Sequence, residues 1–235
     1  MMPTTTVNKY SEELLLQVKM NQSTSTIRTA LAELRKTQLT EELYDDDHKK
    51  AFWINIYNAY YQILRQETEL VKPAIYRDKL ISIRGKMISL DTVEHGILRR
   101  NRFKYSFGFF GNICTKPFIK KHMVDQIDYR IHFALNCGAE SCPPIAFYHP
   151  DRIEMQLDMA TQSFLEGETS YDDHGKVVTT SALLKWFYGD FGGRKGINAM
   201  YAKQLGKDIS QYTIKYKDYS WEDQLHNFEE NDDKI

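Results

Sequence analysis

The chain has 235 residues, 42% of them hydrophobic and 13% aromatic, which is enough for one large domain with a real core. Thirty-one Lys/Arg nearly balance 32 Asp/Glu, and the net charge of −1 argues against nucleic acid as a partner. No apolar run approaches the roughly eighteen residues of a membrane span, so no transmembrane helix and no membrane partner are expected.

The first residues, MMPTTTVNKYSEELLL, lack the basic patch, apolar stretch and small-residue cleavage site of a secretory signal. The cysteines, Cys114, Cys137 and Cys142, are odd in number, whereas a secreted chain usually pairs its cysteines evenly. Both features predict a cytoplasmic protein with reduced thiols, free to act as core residues, metal ligands or nucleophiles.

In chain order, Ser11 followed by Glu12 and Glu13 reads as a helix start, and Ile27, Leu31 and Leu34 recur at helical spacing. Residues 1–44 are therefore expected to form a helical lead-in packed on the core. The acids of YDDDH (residues 44–48) favour the start of the next helix. In KKAFWINIYNAYYQILRQ, Phe52, Ile56, Ala59 and Ile63 make one stripe and Trp53, Tyr57, Tyr60 and Leu64 its neighbour, so this helix is central. Asn55 and Asn58 lie three apart on it, and buried amides need partners, so they imply a polar network.

KLISIRGKMISL reads as a hairpin about Arg84-Gly85, after which Ser89 can cap a helix over SLDTVEHGILRR. Glu94 and His95 fall in its middle, and as sequence neighbours on a helix they are expected to point apart. The Arg99-Arg100 and Lys120-Lys121 pairs read as solvated surface. NRFKYSFGFFGN is an aromatic, glycine-containing loop. Residues 130–136 alternate, with Ile131, Phe133 and Leu135 on one side and Arg130, His132, Ala134 and Asn136 on the other, which predicts a strand. CGAESCPP then breaks it. A helix ending at Gly167, a strand at HGKVVTT, short helices at SALLKWFYGDFGG and INAMYAKQLG, and a final strand at QYTIKYKDYSW complete the pattern. The sum is α+β: helices on a small, mainly antiparallel sheet in one domain over residues 45–226, with a solvated tail at 227–235. Neither GxGxxG nor GxxxxGK[ST] occurs, and no cofactor is expected.

Three chemistries compete for the segment RIHFALNCGAESCPP. Cys142, in a turn after a strand, could be a nucleophile activated by His132 or His95 as general base, or simply a buried small side chain. Asn55, Asn58, Glu94 or Asp190 could orient the imidazole, although Asn55 and Asn58 could equally be structural amides and Asp190 a turn cap. Cys137, Cys142, His132 and His95 could instead hold zinc, at loose ligand spacing. A disulfide between Cys137 and Cys142 is the remaining reading, without the CxxC spacing of thiol oxidoreductases. The expected substrate, where there is one, is a small molecule or a peptide.

FWINIYNA (residues 52–59), SLDTVEHGILR (89–99), RIHFALNCGAESCPP (130–144) and WFYGDFG (186–192) together resemble, in order, the family known as domain of unknown function 547. The resemblance spans roughly residues 45–192 and places the family's signature on Asn55, Asn58, Glu94, His95, His132, Cys142, Pro143 and Asp190. Polar and thiol groups drawn from four segments imply a site assembled by the fold. A papain-like or transglutaminase-like architecture would fit a Cys–His site, with rearranged connectivity because the histidine here precedes the cysteine. The resulting expectation is thiol-dependent hydrolysis or acyl transfer, set against a non-catalytic binding or scaffold domain whose polar residues specify the fold.

Overall fold

The computed structural model describes residues 6–229. Helix α4 (Asp46–Glu67) runs through the centre of the larger of two hydrophobic clusters. Asp45 caps it by accepting from the His48 N–H at 2.9 Å, and Asp46 and Asp47 occupy its first turn, where carboxylates complement the helix dipole. Phe52, Trp53, Tyr57, Tyr60 and Tyr61 are buried along it. At about 1.5–3 kcal/mol for each large apolar side chain, this helix dominates the core.

The first helix packs on α4 and starts earlier than the sequence suggested. Helix α1 (Val7–Lys19) is capped by Thr6, and Ser11 is buried inside it, its hydroxyl donating to the Asn8 carbonyl at 2.7 Å. The acidic pair after Ser11 suggested a cap, yet the buried stripe Val7, Ser11, Leu14, Leu15 and Val18 begins a turn before it. Helices α2 (Ser25–Ala32) and α3 (Gln38–Glu42) complete the lead-in, and α5 (Ala74–Arg77) precedes the hairpin. The hairpin forms as expected, β1 (Ile81–Ile83) antiparallel to β2 (Lys86–Ile88).

Three later segments depart from expectation. After the hairpin, residues Thr92–Leu98 form a π-helix, with Ser89 Oγ accepting from the Thr92 N–H at 3.2 Å. The strand expected over residues 130–136 is replaced by a 3₁₀ turn, Tyr129–Phe133, capped by Asp128. The alternation misled because Arg130 through Asn136 has no solvent side, except that Arg130 keeps its head among Asp128, Glu154 and Asp158. The backbone groups that a strand would offer to a neighbour are taken by Asn58, which donates to the Ala134 carbonyl at 2.9 Å and accepts from the Asn136 N–H at 2.9 Å. Finally, the tail is not wholly solvated. Asn227 accepts from the Ile145 N–H at 2.7 Å and the Glu229 N–H donates to the Ile145 carbonyl at 3.0 Å. The rest of the expected tail lies outside the described residues.

Helix α6 (Pro117–His122) follows the aromatic loop, and a 3₁₀ turn at Pro150–Arg152 leads into α7 (Ile153–Glu168), which runs through Gly167. The second cluster gathers α7, α8 (Leu183–Trp186), α9 (Gly193–Leu205) and a three-stranded sheet. In that sheet β3 (Ser170–Asp172), which the pattern did not suggest, pairs antiparallel with β4 (Val177–Thr180), and β4 pairs parallel with β5 (Thr213–Tyr216). The architecture is α+β, with one antiparallel and one mixed sheet. Beyond β5 the chain crosses the 137–145 loop, the Glu140 N–H donating to Glu222 and the Gln224 N–H to Gly138.

Candidate functional site

Residues of both hydrophobic clusters line a cavity of about 560 Å³, within the range of small-molecule sites. Its wall is mainly aromatic, from Tyr57, Tyr76, Tyr105, Phe107, Trp186 and Tyr219. Its polar part combines Glu94, His95 and His132 with Cys137 and Cys142.

The π-helix creates the first polar group. Its i to i+5 hydrogen bonds, Arg99 N–H to Glu94 and Asn101 N–H to Gly96, both 2.8 Å, widen the turn and turn successive residues through a smaller angle. Glu94 and His95 therefore do not point apart: Glu94 Oε1 lies 3.4 Å from His95 Nδ1. Arg99 Nη1 donates to the same Nδ1 at 2.8 Å, which leaves the proton of a neutral His95 on Nε2, 3.6 Å from Asp91 Oδ1. Burial lowers the pKa of His95, Glu94 opposes that, and Arg99 adds to it; the net shift is down and the ring is neutral near pH 7. Burial acts to raise the Glu94 carboxyl, but His95, Arg99, His132 and Lys104 outweigh it and hold it ionised. Tyr57 donates to Glu94 Oε2 at 3.3 Å.

Arg99 is not solvated surface. It has no exposed side-chain area, its guanidinium lies 4.6 Å from the Phe187 ring centre, and its Nε donates to Asp190 Oδ2 at 2.5 Å. One turn beyond a helical histidine, an arginine that also ends an apolar run was the available sign of this role. The same Asp190 oxygen accepts from His132 Nε2 at 3.0 Å, while the imidazole stacks on Phe187 at 3.8 Å between centroids. Asp190, raised by burial but lowered more strongly by His132 and Arg99, is a carboxylate. Burial lowers His132 further than Asp190 can raise it, so its Nδ1 carries a free lone pair. His132, Asp190, Arg99, His95 and Glu94 thus form one continuous buried network.

Cys137 and Cys142 are joined by a disulfide, with Cα atoms 6.2 Å apart. The expectation of free thiols fails for this pair, and only Cys114 is a free cysteine. The odd count, used to infer a reducing compartment, is equally met by one bridge and one thiol. The Cys137 N–H donates to Cys142 Sγ at 3.0 Å, and the Tyr219 hydroxyl lies 3.2 Å from that sulfur. Among the described residues neither imidazole hydrogen-bonds Cys142. Nor do Cys137, Cys142, His132 and His95 gather as a metal site: among the described residues no cluster of three or more His, Cys, Asp or Glu could hold an ion, so the zinc reading is withdrawn.

Asn55 and Asn58 serve the loops around the cavity. Asn55 donates to the Tyr148 carbonyl at 2.8 Å and accepts from its N–H at 3.0 Å. Asn58 holds residues 134 and 136 in the same two-point manner, and Asn136 in turn donates to the Pro143 carbonyl at 2.7 Å and accepts from the Gly138 N–H. Neither amide reaches an imidazole. The residues that the sequence did not single out, Arg99, Tyr219 and Trp221, come from a helix end and from the chain beyond β5, whose crossing over the disulfide loop is a purely tertiary event.

Nothing among curated proteins or solved structures matches the chain. The family model described as a protein of unknown function, DUF547, matches residues 41–165, more than half of the sequence and all of the site except Leu183, Trp186, Phe187, Asp190 and the segment beyond β5, and the chain belongs to that family.

Proposed function

We propose that the cavity is the site of a thiol-dependent hydrolase or acyl transferase, with Cys142 as nucleophile and the Cys137–Cys142 disulfide as its oxidised resting form. The observation that carries this reading is the shared cavity: the Cys142 sulfur, approached by an N–H and a phenol hydroxyl, opens onto the space lined by His132, His95 and Glu94. Two donors on one sulfur favour its thiolate. An external dithiol supplies two electrons and two protons to cleave the S–S bond and is itself oxidised to a disulfide. His132, oriented by Asp190, then takes the Cys142 proton through an intervening water or substrate atom. The thiolate attacks an acyl carbonyl, and the bond to the leaving group breaks as His132 returns the proton to it. Water, deprotonated by His132, or a second acyl acceptor then cleaves the thioester and regenerates the thiolate. Neutral His95, a donor through Nε2, polarises the carbonyl on this reading.

Alkylation tests it. After reduction with excess dithiol at mildly acidic pH, iodoacetamide should modify Cys142 at least about tenfold faster than the exposed Cys114, and His132→Ala should remove most of that difference. Equal rates at the two cysteines would leave the nucleophile without support. A binding cleft without chemistry is the second reading, favoured by the lack, among the described residues, of any imidazole hydrogen bond to the sulfur; on that reading Cys142→Ser retains every activity of the protein.

A further inference from the structure

Residues 95–124 contain seven of the 31 Lys/Arg and none of the 32 Asp/Glu, in a chain whose net charge is only −1. The same stretch carries the densest exposed apolar surface among the described residues. Phe110 is 71% exposed, Ile113 fully so, Tyr105 65%, and Phe103, Phe107 and Phe109 about half. A monomeric soluble surface seldom leaves so many large apolar side chains together. They are not strewn: the Phe103 N–H donates to the Phe110 carbonyl at 2.9 Å and Arg102 pairs with Gly111, so the loop is closed on itself. Three cations, Arg77, Lys79 and Lys116, against one carboxylate, Asp91, share a basin of about 710 Å³ with Phe103, Phe110 and Ile113.

We propose that this loop, with the cations around it, docks the protein on an anionic membrane surface. The apolar side chains enter the boundary between headgroups and acyl chains, and Arg100, Arg102, Lys116, Lys120 and Lys121 meet the negative headgroups. The absence of a spanning helix among the described residues concerns insertion across a bilayer and does not bear on attachment to its surface, so this proposal departs from the expectation of no membrane partner. A single-stranded nucleic acid would also meet aromatic rings and cations, but two features favour lipid. The most exposed member, Ile113, has no ring on which a base could stack. Tyr105 and Phe107 belong both to the loop and to the wall of the aromatic cavity, which gives an apolar chain a continuous path inward.

The loop is also fixed to the site behind it. The Gly189 N–H donates to the Phe107 carbonyl at 2.6 Å, and Gly108, at φ +84°, lies so close that an added Cβ would meet Asp190 Oδ1 at 2.4 Å. Docking therefore presents the cavity in one orientation to the surface.

Co-sedimentation of the full chain with vesicles tests this. Binding to phosphatidylcholine vesicles containing phosphatidylserine should exceed binding to phosphatidylcholine alone by about tenfold or more, and should fall by a similar factor in roughly 0.5 M salt. Phe110→Asp with Ile113→Asp, and separately Lys116→Glu with Lys120→Glu and Lys121→Glu, should each lose about tenfold while the thermal transition stays in place, since these side chains are exposed. Cys142→Ser should bind like the wild type, which separates docking from the thiol chemistry. Equal or absent binding to the two vesicle types would overturn the proposal, as would wild-type binding by the loop variants. Tighter binding to single-stranded oligouridine than to vesicles, lost in the same variants, would reassign the surface to nucleic acid.

Discussion

Arg99 has no exposed surface, and its charge is sustained there by Asp190 at 2.5 Å and by the face of Phe187. Asp190 is equally buried and holds His132 as well. Removing one member of such a pair strands the other charge in a dry environment, at a cost of about 3–5 kcal/mol, whereas replacing both with apolar groups of similar volume is often near neutral. Asp190→Asn is therefore expected to lower stability by about that amount in urea titrations. Combining it with Arg99→Met should recover most of the loss. A double variant whose destabilisation equals the sum of the two single effects would mean that the ion pair contributes no coupling. The same substitutions separate the roles of the two imidazoles. Arg99 holds the Nδ1 of His95 as an acceptor, and Asp190 holds the Nε2 of His132 as a donor, so each histidine loses its fixed tautomer with a different partner.

The elements around the site are shaped by side chains that replace backbone pairing. Asn58 takes the Ala134 carbonyl and the Asn136 N–H, the groups that a neighbouring strand would have paired. Asn58→Ala leaves both buried without partners and should cost about 2–4 kcal/mol in urea titrations. Because the 3₁₀ turn Tyr129–Phe133 ends at this clamp, the imidazole resonances of His132 should shift in the same variant. Unchanged stability would show that the turn is held by its own packing. These particulars explain what could be read in advance. The stripes of α4 were visible because a buried helix repeats its apolar residues in the chain itself, and the two asparagines stood out as polar interruptions of that repeat. The segment 130–136 had an equally clear period, but its backbone groups are paired by an asparagine 76 residues from Ala134 and its histidine by Asp190, which no local pattern records. Glu94 and His95 were identified as candidates but assigned opposite directions, since ordinary helical geometry was assumed where a π-turn forms. Arg99 was hidden by its neighbour: Arg100 is exposed, and a charged pair at a helix end looks solvated until the carboxylate from residue 190 arrives.

At the scale of the whole molecule, burial of histidines sets the response to acid. His95 and His132 share the cavity network while His122 lies apart against Phe118, and burial is the leading cause of a lowered pKa in each. His122, which packs against Phe118 with Arg84, Lys121 and Lys49 nearby, is brought down to about 4. The unfolded chain, with histidines near 6.5, binds more protons than the native state between those two values. Stability is accordingly full above about pH 6.5 and falls as the pH drops toward 4, because the slope follows the excess of protons on the unfolded state. Glu94, Asp128 and Asp190, all held below the ordinary carboxylate range once burial is outweighed by their cationic partners, extend the loss to still lower pH. His122 alone should account for about 2–3 kcal/mol of the upper part, since its side chain is buried and neutral down to about pH 4. Its Nε2 has no partner among the described residues, so His122→Leu removes a proton site without breaking a hydrogen bond. Urea midpoints measured from pH 4 to 8 should then show a shallower slope between 4 and 6.5 for His122→Leu than for the wild type, with the two curves parallel above that range. Identical slopes would place the acid response entirely in the network of Arg99, Asp190 and the two cavity histidines, where burial opposes protonation of both imidazoles.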